Sequence, residues 1–135
     1  MKNILTLLLL ISINHVFAQS TSSGTASQTI KDPVASVAGS SGGKIAATIF
    51  KAAKKIDVTG PDTSAVVTSF TIYFQGKGFE TAPGMLENIK GNLFTKDVIR
   101  LLERSAPGTT VTIDEIKVWY NNVNKKVPSL IFILY

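Results

Sequence analysis

The alternation of residue types between Val66 and Gln75 constrains this chain more strongly than any other feature of its sequence. One parity is apolar and the other is mostly hydroxylated: Val66, Thr68, Phe70, Ile72 and Phe74 against Val67, Ser69, Thr71, Tyr73 and Gln75. A period of two directs one set of side chains to a core and the other to water, as a half-buried β-strand requires. The segment therefore predicts a strand, and with it a fold built on sheets.

The segments on either side of this strand are less regular. Residues 44–58 fit either a helix or a strand, and we favour a strand over residues 55–59, which lead into a Gly-Pro turn. Residues 76–93 lack sustained periodicity, so they either contain a short strand or form a projecting loop.

One helix is predicted after that segment. Thr95 is a suitable N-cap, and Asp97 in the first turn lies near the positive end of the helix dipole. The apolar face consists of Phe94, Val98, Leu101 and Leu102. Pro107 and Gly108 end the helix.

The last third of the chain predicts a hairpin whose first strand covers residues 110–120. Its apolar residues change parity at Asp114 and Glu115, and a β-bulge at that point would keep both halves of the strand facing the core. Adjacent side chains on a strand point to opposite faces. We therefore expect Tyr120 to be buried and Trp119 to be exposed.

The end of the chain completes this hairpin. Residues 121–126 predict a polar turn, and residues 127–135 form a nearly continuous apolar run that is typical of a strand buried on both faces. Taken together, residues 44–135 predict a mainly β domain with one short helix.

The N-terminus has the pattern of an export signal. Lys2 precedes an apolar run that ends in small residues, which predicts a signal peptide over residues 1–18 with cleavage between Ala18 and Gln19. The apolar run is too short for a membrane-spanning helix, so we expect no membrane span in the mature chain. The mature protein is then expected in the periplasm or outside the cell.

The segment after the signal changes in composition. Residues 19–43 are rich in Ser, Thr and Gly and predict a flexible linker. Ile30, Val34 and Val37 leave open a short docked strand within it, although the segment has little apolar surface to bury.

Composition narrows the possible functions. The chain has no cysteine, and its single histidine, His15, lies in the predicted signal peptide. The mature chain therefore has no thiol nucleophile, no Cys/His zinc site and no Ser-His relay. We expect neither metal nor cofactor and no enzymatic activity, with a small Ser-Lys hydrolase as the catalytic alternative. Asp114 and Glu115 are not expected to form an acid-base pair, because strand neighbours point apart.

The charge of the chain is modest. The net charge is +5, and the basic residues are dispersed apart from the pairs Lys54-Lys55 and Lys125-Lys126. No nucleic-acid-binding motif accompanies them, so we expect no nucleic-acid partner.

Four short motifs then occur in a recognisable order. They are Val67-Thr68-Ser69-Phe70, Gly91-Asn92-Leu93-Phe94-Thr95, Ile113-Asp114-Glu115-Ile116-Lys117 and Val127-Pro128-Ser129-Leu130. In this order the chain from Gly42 to Tyr135 resembles the C-terminal domain of GldM, a periplasmic protein of the gliding-motility and type IX secretion motor. The matching positions are Ser69, Phe70, Gly91, Asn92, Phe94, Thr95, Ile113, Ile116 and Lys117.

The resemblance implies a fold and a role. In that family a membrane helix is followed by a dimeric periplasmic rod of β-rich domains, and the final domain meets an outer-membrane-associated lipoprotein ring. The resemblance to this family implies a mainly β, β-sandwich-like (Ig-like) domain with one short helix, which binds protein in an envelope complex. Because an export signal stands in place of the anchor and rod, we expect this chain to bind rather than to transmit force. The alternative is a structural or regulatory periplasmic domain of unknown ligand that shares only the fold.

One interaction patch is predicted on the sheet. Exposed aromatic residues commonly anchor protein interfaces. Trp119, Lys117 and Tyr73 are expected on the outer face of the sheet, where they would contact a protein partner.

Overall fold

The alternating and apolar segments of the sequence form eight strands and two helices in the computed structural model, which describes residues 32–60 and 64–135. The strands are β1 (Val34–Ser36), β2 (Gly43–Ile45), β3 (Asp57–Thr59), β4 (Val66–Gly76), β5 (Gly84–Lys90), β6 (Thr109–Tyr120), β7 (Val123–Lys126) and β8 (Leu130–Leu134). The helices are α1 (Ala47–Ala52) and α2 (Lys96–Arg104). The predicted signal peptide, its cleavage point at Ala18 and Gln19 and the first part of the predicted linker lie outside the described residues.

The strands form a large sheet and a small one. In the large sheet the order is β2-β8-β6-β4-β5, and β7 pairs with the second half of β6 beyond the end of β8. All its pairings are antiparallel except that of β2 with β8. The small sheet is the antiparallel pair β1 and β3. The mainly β, sandwich-like fold predicted from the sequence is confirmed.

One hydrophobic core lies between the inner face of the large sheet and a second layer made of the helices and the small sheet. Phenylalanine rings join the layers: Phe50 on α1 lies 5.0 Å from Phe132 on β8, between ring centroids, and Phe70 on β4 lies 6.1 Å from Phe94. Such aromatic contacts stabilise a core beyond the area they bury. The opposite face of the large sheet is called here the outer face.

Helix α2 begins and ends as its sequence predicts. The Thr95 hydroxyl accepts a hydrogen bond from the Val98 N–H at 3.4 Å, and Asp97 lies in the first turn. Val98 and Leu102 are buried against the sheet, and Ser105 terminates the helix before Pro107. Neither helix of the described residues is long and apolar enough to cross a membrane.

The predicted linker extends too far into the domain. Ala35 is 2% exposed and Val37 is fully buried, and β1 pairs with β3. Residues 32–43 therefore belong to the folded domain. This agrees with the alternative that part of the predicted linker forms a short docked strand. Pairing with a distant strand supplies the contacts that the local composition lacks.

The ambiguous segments on either side of β4 are now resolved. Residues 44–58 contain the end of β2, the helix α1 and the start of β3, so the strand preferred for residues 55–59 is confirmed in its second part. Residues 76–93 contain the strand β5, one of the two possibilities left open. Strand β5 has a weak alternation because a bulge interrupts its pairing with β4 between Leu86 and Ile89.

Two predictions for the final hairpin are wrong. Residues 121–126 are not only a turn, because β7 begins after Asn121 and Asn122, both of which have positive φ. Strand β8 is not buried on both faces, because Ile131 and Ile133 on the outer face are 54% and 45% exposed. No second layer covers them among the described residues.

Candidate functional site

Three irregularities of strand pairing lie side by side on the large sheet. In β6 the residues Glu115 and Ile116 face the single residue Phe70 of β4, and Glu115 has a φ of 48°. Strand β4 in turn has Thr68 as an extra residue between its pairs with Lys117 and Val118. The β-bulge predicted at Asp114 and Glu115 is confirmed.

The third irregularity is in β5. Between its pairs Ile72↔Leu86 and Phe70↔Ile89, β5 has one residue more than β4, and Asn88 has a φ of 52°. The Asn88 N–H donates to the Thr71 hydroxyl at 3.3 Å, which satisfies a backbone group that the ladder leaves unpaired.

The bulge of β4 corrects the first sequence prediction. Val66 was assigned to the core parity, yet it is 54% exposed while Val67 is 3% exposed. The extra residue Thr68 shifts the parity, so that Val67 and Phe70 both face the core although they are three positions apart.

The bulge of β6 determines which side chains reach the outer face. It keeps Ile116, Val118 and Tyr120 buried, so Lys117 and Trp119 point outward. Trp119 is 43% exposed and Tyr120 is 1% exposed, as parity predicted for this pair. The Trp119 side chain is thereby held at the surface between two buried neighbours, Val118 and Tyr120.

These outward side chains line an open groove of about 590 Å3 across the bulged part of the sheet. The groove is lined by Thr68, Ser69, Lys90, Lys117, Trp119, Asn124, Lys125 and Lys126. Its residues come from strands β4, β5, β6 and β7. The Thr68 hydroxyl donates to the Lys117 carbonyl oxygen at 3.2 Å and so ties the bulge of β4 to the floor of the groove.

Two of the groove lysines have carboxylate partners. Lys126 donates to the Glu115 carboxylate, which raises the pKa of Lys126, and its Nζ lies 4.0 Å from Asp114 Oδ1. Lys125 Nζ lies 3.0 Å from Asp32 Oδ1. Both pairs are partly exposed, and such pairs contribute little to stability.

Asp114 and Glu115 differ from their predicted arrangement. As neighbours on a strand they were expected to point apart, but the bulge turns both carboxylates towards Lys126. The Ser129 hydroxyl, donating to Asp114 at 2.6 Å, and the Glu115 N–H hold the pKa of Asp114 below its ordinary value. A carboxylate stabilised in its charged form by hydrogen bonds is a poor general acid or base near neutral pH.

The predicted patch of Tyr73, Lys117 and Trp119 is only partly assembled. Lys117 and Trp119 are two residues apart on β6 and both line the groove. Tyr73 is on the same outer face but pairs with Thr112 and Met85, and it is four residues along β4 from Ser69, or about 13 Å. The structure therefore brings together two of the three residues.

The positions that carry the family resemblance have structural roles. Ser69, Phe70, Ile113 and Ile116 surround the bulges, and Lys117 alone among the matching positions lines the groove as a charged side chain. Gly91 has a φ of 76° at the turn out of β5, and its N–H donates to the Thr68 carbonyl oxygen.

The turn that precedes α2 is fixed in a similar way. The Asn92 carbonyl oxygen accepts from the Ile56 N–H at 2.9 Å, and the Phe94 N–H donates to the Lys54 carbonyl oxygen at 2.9 Å. Phe94 is 6% exposed, and Thr95 caps the helix.

The patch predicted from the sequence did not include four residues that line the groove: Lys90, Asn124, Lys125 and Lys126. A signal for the last three is present in the sequence, since Asn121-Asn122 is typical of a two-residue hairpin turn. That turn pairs Tyr120 with Val123 and therefore Lys117 with Lys126. Nothing local indicates Lys90, because its place depends on the bulge in β5.

Metal ligands do not gather in the part of the chain that the structure describes. No three Asp, Glu, His or Cys side chains of residues 32–60 and 64–135 come close enough to hold an ion. Asp57 Oδ1 lies 2.6 Å from Lys55 Nζ, with which it forms an ion pair.

The fold and groove define a class: a bulged β-sandwich-like domain with one face of its large sheet open and partly basic. A family model described as the GldM C-terminal domain matches residues 32–135. The chain belongs to this family, which confirms the resemblance found in the sequence and links the chain to gliding motility and type IX secretion in the bacterial envelope. A comparison with curated proteins returns no match.

Proposed function

We propose that this chain is an exported protein-binding or assembly module of a bacterial envelope complex that serves gliding motility or type IX secretion. The observation that carries the proposal is Trp119. It is 43% exposed beside the groove, while its strand neighbours Val118 and Tyr120 are buried. Tryptophan on a rigid element contributes large contact area at little cost in conformational entropy, and it is enriched among the residues that dominate binding.

Export and location form part of the same proposal. The signal-peptide pattern of residues 1–18 supports delivery to the periplasm or the cell exterior, and membership of an envelope family agrees with it. The absence of cysteine from the chain means that such a domain relies on its core for stability.

We propose binding rather than catalysis for a physical reason. The carboxylates beside the groove, Asp114 and Glu115, share Lys126 as an ion-pair partner. The lowered pKa of Asp114 moves it further from the range where proton transfer at neutral pH is efficient. The groove lysines are suited to contacting anionic groups.

Affinity capture from envelope extracts tests the proposal. The wild-type chain and a Trp119→Ala variant are used as bait, and recovered proteins are quantified by mass spectrometry. We expect the wild type to recover type IX secretion components and the variant to recover at least about tenfold less, as for a binding hot spot.

The matched control is Ile49→Ala. Ile49 is an exposed apolar residue, 53% accessible, on α1 in the other layer of the fold. It should capture as much as the wild type. Recovery of no such components by the wild type would favour the alternative of a domain that shares only the fold, and equal capture by Trp119→Ala would remove Trp119 from the contact.

A further inference from the structure

Lysine side chains form a row across the floor of the groove. Strand pairing places Lys126 opposite Lys117, Lys117 opposite Ser69, and Ser69 opposite Lys90. The row thus crosses strands β7, β6, β4 and β5 on the outer face. It is called here the lysine row, and its members are Lys126, Lys117 and Lys90.

The charges of this row are unequally neutralised. Lys126 is held by Glu115, whereas Lys90 Nζ donates to the neutral amide oxygen of Asn88 at 3.0 Å. Within residues 32–60 and 64–135, neither Lys90 nor Lys117 forms an ion pair with a carboxylate. Two positive charges of the groove therefore have no carboxylate partner in the described part of the chain.

The pairing of Lys117 with Lys126 opposes folding. Like charges directly opposite each other on neighbouring strands destabilise a sheet. The three bulges that adjoin the row also interrupt regular pairing, and bulges commonly direct side chains at functional sites. An anionic group bound over Lys117 would relieve the repulsion, so the groove is electrostatically complementary to an acidic ligand.

The spacing of the row limits the shape of that ligand. Neighbouring strands are about 4.8 Å apart, so the Cα atoms of Lys117 and Lys90 are separated by about 10 Å. Trp119 is two residues along β6 from Lys117, or about 7 Å between Cα atoms. A ligand that contacts all three side chains therefore carries more than one negative charge and an apolar group.

We propose that the groove binds an acidic segment of a partner protein, whose carboxylates contact Lys117 and Lys90 and whose apolar side chain packs on Trp119. The inference rests on the proposed function and specifies the chemistry of the partner. The contact surface includes Lys90 and excludes Tyr73, and in this it differs from the patch predicted from the sequence.

A peptide fits the groove better than a nucleic acid does. Single-stranded nucleic acids are held by several aromatic side chains on which successive bases stack, and Trp119 is the only aromatic residue in the lining. Glu87 and Glu115 also line the adjoining pocket together with Lys117. Both carboxylates would repel a phosphate backbone that continues along the sheet beyond the lysine row.

Trp119 provides a direct reporter of binding, because it is the only tryptophan of the chain. The full chain is titrated with the synthetic peptide Glu-Glu-Leu-Glu-Glu-Leu-Glu-Glu while tryptophan emission is recorded. We expect a saturable change in emission that weakens as salt is added. The same peptide with glutamine in place of every glutamate should give no saturable change.

Two double variants separate a site from general attraction. The Lys90→Gln/Lys117→Gln variant removes the unpaired lysines of the row. The control, Lys54→Gln/Lys96→Gln, removes the same charge from exposed positions in the other layer. We expect affinity for the acidic peptide to fall about fivefold or more in the first and less than about twofold in the second.

Three results would overturn the inference. They are the absence of a saturable signal with the acidic peptide, equal weakening in both double variants, and tighter binding of a 20-nucleotide oligothymidylate or of phosphatidylglycerol vesicles than of the peptide.

Repeating the envelope capture with the Lys90→Gln/Lys117→Gln variant separates this inference from the proposed function. If that variant captures as the wild type does while Trp119→Ala fails, the protein-binding role stands and the acidic-segment inference fails. If the peptide titration behaves as expected but the wild type captures no type IX secretion component, the groove chemistry stands and the proposed envelope role fails.

Discussion

The two halves of the large sheet differ in how their strands pair. In one half, called here the regular half, β4 from Ile72 to Gly76 pairs with β6 from Thr109 to Ile113 without interruption. In the other, the bulged half, β4 and β6 change register twice, at Thr68 and at Glu115. The regular half also has β8 on its other side, whereas the bulged half has only the short strand β7.

The difference shows how one sheet serves two purposes. Regular pairing satisfies backbone groups along the ladder, and the inward residues Phe74, Ile72 and Ile113 are all fully buried. The bulges lose some of that pairing but keep the inward side chains in the core. In exchange, they bring Lys117 and Trp119 to an open surface beside other strands.

The bulged half is disrupted most severely by a change of parity in β6 beyond its bulge. Deletion of Lys117 would turn Val118 and Tyr120 outward and Trp119 inward, whereas deletion of Glu115 would only remove the extra residue of the bulge. Each buried side chain of this size contributes about 1.5–3 kcal/mol, so we expect the Lys117 deletion to lower the free energy of unfolding by about 3 kcal/mol or more. Urea unfolding followed by circular dichroism measures it.

The control for this deletion keeps the residue count. Glu115→Gly retains the bulge, and glycine tolerates the φ of 48° better than glutamate does, although the ion pair with Lys126 is lost. Its stability should lie within about 1 kcal/mol of the wild type. A Lys117 deletion variant as stable as Glu115→Gly would contradict the parity assigned to β6 beyond the bulge.

The regular half is tested at the turn that follows β4. Gly78 has a φ of 86°, and a methyl group there would overlap the carbonyl oxygen of Arg104. We expect Gly78→Ala to lower the free energy of unfolding by about 2 kcal/mol or more, since it combines backbone strain with a steric clash. Differential scanning calorimetry or urea unfolding measures the change.

Gly91 offers a matched substitution for this turn. Its φ is 76°, but an added methyl group would meet nothing within 4 Å. Gly91→Ala should therefore cost about 1 kcal/mol, from backbone strain alone. Equal losses in the two variants would show that the approach to Arg104 contributes nothing.

The smallest expected effect is a pH dependence in the bulged half. The pKa of Asp114 is lowered from its ordinary 3.8 by Ser129 and the Glu115 N–H. A carboxyl group with a lowered folded-state pKa stabilises the fold above its unfolded pKa, and this contribution is lost as the pH falls through the folded-state value. Asp114→Asn should reduce stability at pH 7 by less than about 1 kcal/mol.

The pH profile identifies the source of that loss. The difference between Asp114→Asn and the wild type should shrink as the pH falls from 4 towards 2, because the wild-type carboxyl becomes neutral. Ser129→Ala, which removes the main hydrogen bond to Asp114, should show the same trend. A difference that is constant between pH 7 and pH 2 would assign the effect to packing rather than to charge.

Local patterns in the sequence predicted the elements that local forces determine. Helix α2 follows from the Thr95 cap and its apolar face, and the bulge at Glu115 follows from a visible change of parity. The bulge at Thr68 left no such sign. Around Thr68 both parities carry hydroxylated residues, so the sequence shows no break in its alternation where the strand pairing shifts.

Exposure and distant pairing were harder to predict. The apolar run of β8 is the same whether one face or both are covered, so Ile131 and Ile133 were assigned wrongly to the core. Half of the groove depends on strands β5 and β7. Strand β5 lies in a segment for which a strand and a loop were both left open, and β7 lies in a segment assigned to a turn. Lys117 and Trp119 could be predicted to face outward because the alternation of apolar residues within β6 shows which side chains face the core.

Strand β8 has a consequence for how the domain is completed. It lies between β2 and β6 in the sheet, although β2 precedes it by more than 80 residues along the chain. Pairing of strands so far apart in the sequence is non-local, and non-local pairing slows folding. The large sheet therefore cannot be completed in a growing polypeptide until the segment that carries β8 is present, because β8 is the strand that joins β2 to β6.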